Sequence, residues 1–389
     1  MSDYLSELVA ELDTERVRLG ALRLLAEVGM SVPALAVERR VEEAGLRTQG
    51  HRVYFDQQAV AEFLDRQKAQ AEPEAPDAPL GLHTGSHCLY ECAPENHALR
   101  RLTIGRLEQW TRLVGALEKA GILASAYCPG IPADCPPVIA PLWQNVIAAR
   151  HIKRPPIISY STALVPYTKE IYRIIGRKPD MALSVHPVSP LVLGGEELEL
   201  ALLLLDQGLA TSCGAAPMPV MGVSAPLDWE AAWAQALAEA AGTALALEAM
   251  GYERVTARAC LYAADMRHGT FVYGSPEHVL LTLSEAKVNR EILGLGRREA
   301  KALNTTAKTP GPQAAAEKSA HALAALLGGY RELGGMGILA VTRSSAPSSS
   351  CWTWISRSMR RGSGAASRRS TARGISSRWS RRAWWRDPS

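Results

Sequence analysis

Apolar residues recur at helical spacing through residues 4–29, at Leu5, Leu8, Leu12, Val17, Leu19, Leu22, Leu25 and Val28, and Gly29 ends the run. Further helices are expected over 33–45 and 57–69. Between them, residues 45–55 read as a hairpin turning near Gln49-Gly50. Residues 70–80 are rich in Ala, Glu and Pro and read as a linker, and residues 84–104 read as a second hairpin.

From residue 106 the pattern alternates between helices and short strands. Helix 106–119 leads to strand 122–128, helix 141–152 to strand 156–161, and helix 166–176 to strand 181–187. Helix 195–207 leads to strand 209–216, and the Ala-rich helix 228–250 to strand 254–263. Helix 276–293 leads to a strand near 301–306, and helix 312–328 to strand 336–341. This alternation predicts a parallel α/β architecture. Seven or eight such units favour a (β/α)8 TIM-type barrel over a doubly wound sheet. No Gly-x-Gly-x-x-Gly follows the first strand, which counts against a dinucleotide fold. The expected layout is a helical N-terminal region over 1–80 and a C-terminally incomplete barrel over 81–341, followed by a distinct stretch over 342–389.

Composition changes the picture at that last boundary. The whole chain has a formal charge of +4, a hint of anionic partners. Residues 342–389, however, hold 11 Arg and one acid, Asp387, for a net of +10. Of the chain's 43 basic and 39 acidic residues, that leaves 32 and 38 in residues 1–341, a net of −6. The body therefore shows no nucleic-acid signal. The tail has 14 Ser and five Trp but no Leu. Disordered basic tails are poor in aromatics, so five Trp argue against that reading. Out-of-frame translation after Val341 explains the composition better. Restoring one base ahead of plausible codons for 342–359 gives an acidic, Leu-rich, helix-like text.

The longest apolar run, near Leu198–Leu205, is interrupted by acids and is far shorter than the ~20 residues that span a bilayer. The acidic N-terminus is unlike a signal peptide. Seven scattered Cys without a Cys-x-x-Cys fit a reduced, cytoplasmic protein.

Several segments carry a family resemblance. They are Leu24-Leu-Ala-Glu-Val-Gly-Met-Ser-Val-Pro33, Val185-His-Pro-Val-Ser-Pro-Leu191 and Pro217-Met-Pro-Val-Met-Gly-Val-Ser-Ala-Pro226. Asp265-Met-Arg-His-Gly-Thr-Phe-Val-Tyr-Gly-Ser-Pro276 and Asn304-Thr-Thr-Ala-Lys308, followed by Gln313-Ala-Ala-Ala-Glu-Lys318, complete the set. Together they resemble the trimethylamine methyltransferase family over about residues 15–341. With only standard residues, the chain resembles its non-pyrrolysine, glycine betaine methyltransferase-like branch. The resemblance implies a (β/α)8 barrel. It also implies transfer of a methyl group from a small quaternary or tertiary methylated amine to cobalamin carried by a small corrinoid protein. No tightly bound cofactor, nucleic acid or membrane is implied, and the intact protein is expected to be a homo-oligomer.

A quaternary ammonium is weakly hydrated and binds well over aromatic faces. Candidates near strand ends are Tyr127, Tyr160 and Tyr262, with Phe271 and Tyr273 in the following loop and Met218 in the Pro-Met-Pro motif. Each tyrosine has core packing as its plain alternative. A betaine carboxylate would suit Arg267 or His186; an ion pair of Arg267 with Asp265 or a neighbour and a satisfied buried His186 are the alternatives. Asp265, Asn304 and Lys308 complete the candidate substrate-binding set. No catalytic acid–base residue stands out. A zinc reading of His87, Cys88, Cys92 and His97 has spacing unlike common structural sites. Two further readings stay open: a vestigial barrel that binds an amine without turnover, and a barrel lyase or decarboxylase.

Overall fold

The computed structural model describes residues 7–70, 80–93, 95–181, 183–295, 299–341 and 344–345, the last pair and Glu299 by backbone alone. The N-terminal part opens with α1 (Thr14–Arg23), capped by Asp13, whose carboxylate accepts the Glu15 and Arg16 N–H groups. A π-helical turn, Leu24–Val28, continues it to Gly29 at φ 68°. Strands β1 (Met30–Ser31), β2 (Arg47–Gln49) and β3 (Arg52–Tyr54) form a small antiparallel sheet around the expected hairpin. Helices α2 (Leu35–Glu43) and α3 (Gln57–Ala69) flank it. The linker expected at 70–80 falls mostly outside the described residues.

The alternating part follows. It runs β4 (Gly81–Thr84), a hairpin of β5 (Tyr90–Cys92) and β6 (Leu99–Arg101), α4 (Ile104–Lys119), α5 (Ala140–His151), α6 (Val165–Ile174), β7 (Leu183–Val185), α7 (Glu196–Asp206), β8 (Ser212–Ala215) and β9 (Val220–Met221). Next come α8 (Trp229–Met250), β10 (Arg254–Ala257), β11 (Tyr262–Asp265), β12 (Thr270–Phe271), α9 (Pro276–Leu293), β13 (Glu299–Ala300), α10 (Pro312–Leu327), β14 (Glu332–Met336), β15 (Ile338–Leu339) and β16 (Ser344–Ser345).

The strands lie in small sheets. β7, β8 and β10 are parallel neighbours, with Leu183 opposite Cys213 and Cys213 opposite Val255. β13, β14 and β4 form a second parallel set, so the last long strand of the series lies beside the first. Residue 125 bridges His83 in parallel, and Ala124 N–H donates to the Leu82 carbonyl at 2.9 Å. The segment 156–161 makes no ladder. The Asn145 side chain brackets Ile158 instead, donating to its carbonyl at 2.8 Å and accepting its N–H at 3.2 Å. The expected 254–263 strand is two strands, because Asn289 of α9 holds the intervening Ala259 at both N–H and carbonyl.

Helix α8 is the central beam. Its Ala-rich sequence is apolar all round and buried over most of its length, which suits an enclosed helix. Small residues let α1 approach closely: a Cβ at Gly20 would sit 2.8 Å from Ala234 Cβ. One hydrophobic cluster joins Leu22, Leu25 and Phe63 of the N-terminal part to Trp233 and Leu237 of α8 and to Val185 and Cys213 of the parallel sheet. Truncating any of the large members to Ala is expected to cost about 2–5 kcal/mol. Trp229 and Trp233 share a helix face, and Trp233 is fully buried. Among the described residues no helix is long and apolar enough to cross a membrane.

Candidate functional site

Two loops that follow parallel strands are tied to α8 from behind. The loop after β7 carries His186 and a cis Ser189–Pro190 bond. Ser189 Oγ donates to Glu239 Oε2 at 2.6 Å, and the Leu191 N–H donates to Glu239 Oε1 at 3.0 Å. Gln235, one turn earlier on α8, donates to Glu239 at 2.9 Å and to the Ser224 carbonyl at 2.7 Å. Thus two polar side chains of one apolar helix fasten both the Pro-Val-Ser-Pro-Leu and the Pro-Met-Pro segments. Burial pushes the Glu239 carboxyl pKa up, against the pull of its three hydrogen bonds.

His186 lies at the open end of β7. Its backbone N–H donates to Glu197 Oε2 at 2.7 Å, and its Nδ1 lies 3.3 Å from the same oxygen. Burial works against the charge on Glu197, but these His186 contacts outweigh it and hold the carboxyl below its usual range. His87 Nε2 meets the Tyr160 hydroxyl at 3.2 Å, with the rings edge to face at 5.9 Å. Both side chains are exposed, yet surrounding protein lowers the His87 pKa and raises that of Tyr160. The charge of His186 reaches His87, and Tyr127 reaches Tyr160, so the four residues share one region.

A second group gathers around β11 and β12. Tyr262, Phe271, Tyr273 and His278 form a chain of rings with successive centroids 5.5, 6.2 and 4.9 Å apart. Cys260, Tyr262 and Tyr273 pack as a buried cluster with Phe271 and Val341 against it. Burial pushes the Tyr273 phenol up to about 12, while a hydrogen bond with Asn304 pulls the other way. Lys301 donates from Nζ to the Tyr262 hydroxyl and lies 5.1 Å from the centre of that ring. His278 and His321 stack edge to face at 4.1 Å; burial holds both in the neutral form, His321 down to about 4.

The sequence candidates therefore separate. Tyr127, Tyr160 and His186 fall in the first group, and Tyr262, Phe271 and Asn304 in the second. Met218 is exposed in the loop after β8. Arg267 is exposed in the β11–β12 turn. The Asp265 carboxylate pairs with the backbone N–H of Arg267 and the ring of His268, so the alternative of an Arg267–Asp265 ion pair is not what the structure shows. Lys308 is exposed.

The Asn304–Lys318 motif is a structural clamp: Glu317 accepts from Thr305, from Thr306 and from Gln313, and Lys318 donates to the Ile338 carbonyl at 2.7 Å. Cys88 and Cys92 lie in separate apolar clusters, and among the described residues no set of three His, Cys, Asp or Glu is placed to hold a metal. Sequence reasoning assigned no role to Lys301, Glu197 or Glu239. The acids in an otherwise apolar helical run were the available signal for the last two.

Residues 171–332 match the model of a family described as trimethylamine methyltransferase (MTTB), a methyltransferase family. The match runs from within α6 to the first residue of β14 and covers both fastened loops and the ring cluster. No curated protein matches the chain.

Proposed function

We propose that this chain is a methyltransferase that moves a methyl group from a small methylated amine, of the glycine betaine type, to a corrinoid carried by a separate protein. The family-model match over residues 171–332 carries this reading. The ring cluster supports it, because clustered aromatic faces suit a methylated ammonium. A corrinoid, when bound, would supply a cobalt(I) nucleophile able to accept the methyl group, and a quaternary donor would leave as a neutral amine that keeps the C–N electron pair, so no proton would have to move. The chain's own residues then act by positioning and by excluding water.

We further propose that the parallel strands close into a (β/α)8 barrel, with the seam between β14 and β4. The ladders on both sides of β14 and the hydrogen bond from Ala124 to Leu82 support closure. Such a ring would be complete by Met336, without the additional unit expected from sequence. The stretch after Val341 is read as out-of-frame text, and sequencing the gene across the Val341 codon checks it. A missing base there is expected; an intact frame contradicts it. The catalytic reading is tested by incubating the purified chain with cob(I)alamin and trimethylglycine, carnitine or trimethylamine. Methylated cobalamin with matching demethylated amine is the expected result.

A further inference from the structure

Two tight turns carry apolar side chains out into solvent. Val223 is 69% exposed, Leu227 66% and Met266 71%. They come together at Gly222, where a Cβ would lie 2.9 Å from Leu227 Cδ2 and 3.5 Å from Met266 Sδ. Gly222 sits at φ +75°, so a side chain is disfavoured there on both counts.

The turns are fastened, not loose. The N–H groups of Val223, Ser224 and Ala225 converge on the Val220 carbonyl at 2.9–3.0 Å, and the Gly222 N–H donates to the Ala225 carbonyl at 2.9 Å. Ser224 Oγ accepts the Val220 N–H at 3.0 Å, and Gln235 of α8 holds the Ser224 carbonyl from behind. In the β11–β12 turn, the His268 and Gly269 N–H groups donate to the Asp265 carbonyl at 3.1 and 2.7 Å. Exposed apolar side chains gathered in one patch mark an interaction surface, and Met and Arg are favoured in such places. A backbone already fixed has little ordering left to lose on binding.

The position of the patch indicates its occupant. Val220, at the base of the first turn, packs against the Cys260, Tyr262 and Tyr273 cluster with Phe271. Met266 directly continues the β11–β12 ladder, in which Ala264 opposes Phe271. A body seated on the patch therefore comes to rest beside the rings. The charge at its edge is cationic. Arg267 is exposed, the Asp265 carboxylate is taken up by the Arg267 N–H and the His268 ring, and the Asp228 carboxylate accepts the Ala231 N–H at 2.8 Å. Residues 1–341 carry a net −6, so a basic edge on this acidic body suits a partner with acidic side chains better than a second copy of the chain.

We infer that Val223, Leu227 and Met266, with Arg267 at their edge, form the docking surface for the separate corrinoid-carrying protein, which would meet them with an apolar patch bordered by acidic side chains. The identity of this partner rests on the proposed function.

The test is calorimetric binding of a panel of purified, cobalamin-loaded corrinoid proteins to the full chain and to Val223→Asp, Met266→Asp and Met266→Lys, each shown by thermal melting to be folded. At least one member of the panel is expected to bind the full chain. Either aspartate should weaken it roughly tenfold or more, the scale of a central interface residue. Met266→Lys should weaken it less, because its charge suits an acidic rim. Methylation of free cob(I)alamin should be the same in all variants. No binding by any member overturns the inference, as does binding that ignores both aspartates or tolerates aspartate better than lysine at 266. Self-association of the full chain, or its binding to anionic phospholipid vesicles, that either aspartate abolishes would give the surface to a second copy or to a membrane and equally overturn it. Aspartate-sensitive binding without methylation of free or carried cobalamin would leave the docking surface standing and sink the catalytic reading. Methylation of free cob(I)alamin, with carrier binding indifferent to the patch, would do the reverse.

Discussion

The loops behind α8 and the ring cluster beside β11 both hold polar groups in apolar surroundings, but they treat them differently. Behind the loops, every oxygen of Glu239 has a donor, and Gln235 spends its amide on Glu239 and on Ser224. Beside the rings, Lys301 has a phenol for a partner and faces solvent. A closed network of this kind fixes backbone. The Pro-Val-Ser-Pro-Leu and Pro-Met-Pro motifs belong to it, since Ser189 and Ser224 hold the loops.

If this contrast is right, the largest loss of stability should come from Glu239→Ala. It would leave Ser189 and the Leu191 N–H without their acceptor and is expected to cost roughly 2–5 kcal/mol by chemical denaturation. Glu239→Gln should cost clearly less, because its oxygen still accepts. Equal losses would mean that packing, not hydrogen bonding, holds the loops.

Next is Gly335→Ala. Gly335 sits at φ +90°, and a Cβ there would lie 2.0 Å from Asn304 Oδ1. A loss of roughly 2–4 kcal/mol is expected from strain and displacement of Asn304. Wild-type stability would show that the β14 seam is loose.

His321 is fully buried, and burial lowers its pKa from 6.5 to about 4. A depressed histidine pKa means that the unfolded chain binds more protons between these values. Its contribution is therefore full above pH 6.5 and is lost as pH falls towards about 4, by at most about 3 kcal/mol. His321→Asn should flatten the acid limb of a stability–pH curve in that window; an unchanged slope would assign the decline to other groups.

The smallest effect belongs to Arg267→Ala. The side chain is exposed and its N–H contact to Asp265 survives substitution, so stability should change by less than about 0.5 kcal/mol. A clearly larger loss would mean that the Arg267 side chain holds the β11–β12 turn.

The helical pattern was the legible part of the fold. Expected helices 57–69 and 276–293 match α3 and α9, because their apolar period is backed by caps at Asp56 and Ser275. Strand limits were less legible, since tertiary hydrogen bonds set them. Asn289 interrupts the 254–263 stretch, Asn145 takes the place of a ladder at Ile158, and β14 begins earlier than expected within a Gly-rich text. The aromatic members of the site were visible as residues near strand ends. The contact of Lys301 with the Tyr262 hydroxyl and ring was not, because it joins residues 39 apart through tertiary packing that spacing does not encode. The stretch 346–389 lies outside the described residues.

The most direct measurement is the visible spectrum of cob(I)alamin during incubation with the folded chain and a panel of methylated amines. The account predicts conversion to methylated cobalamin with trimethylglycine, matched by an equal amount of dimethylglycine. A folded chain that methylates cobalamin with no amine in the panel would contradict it.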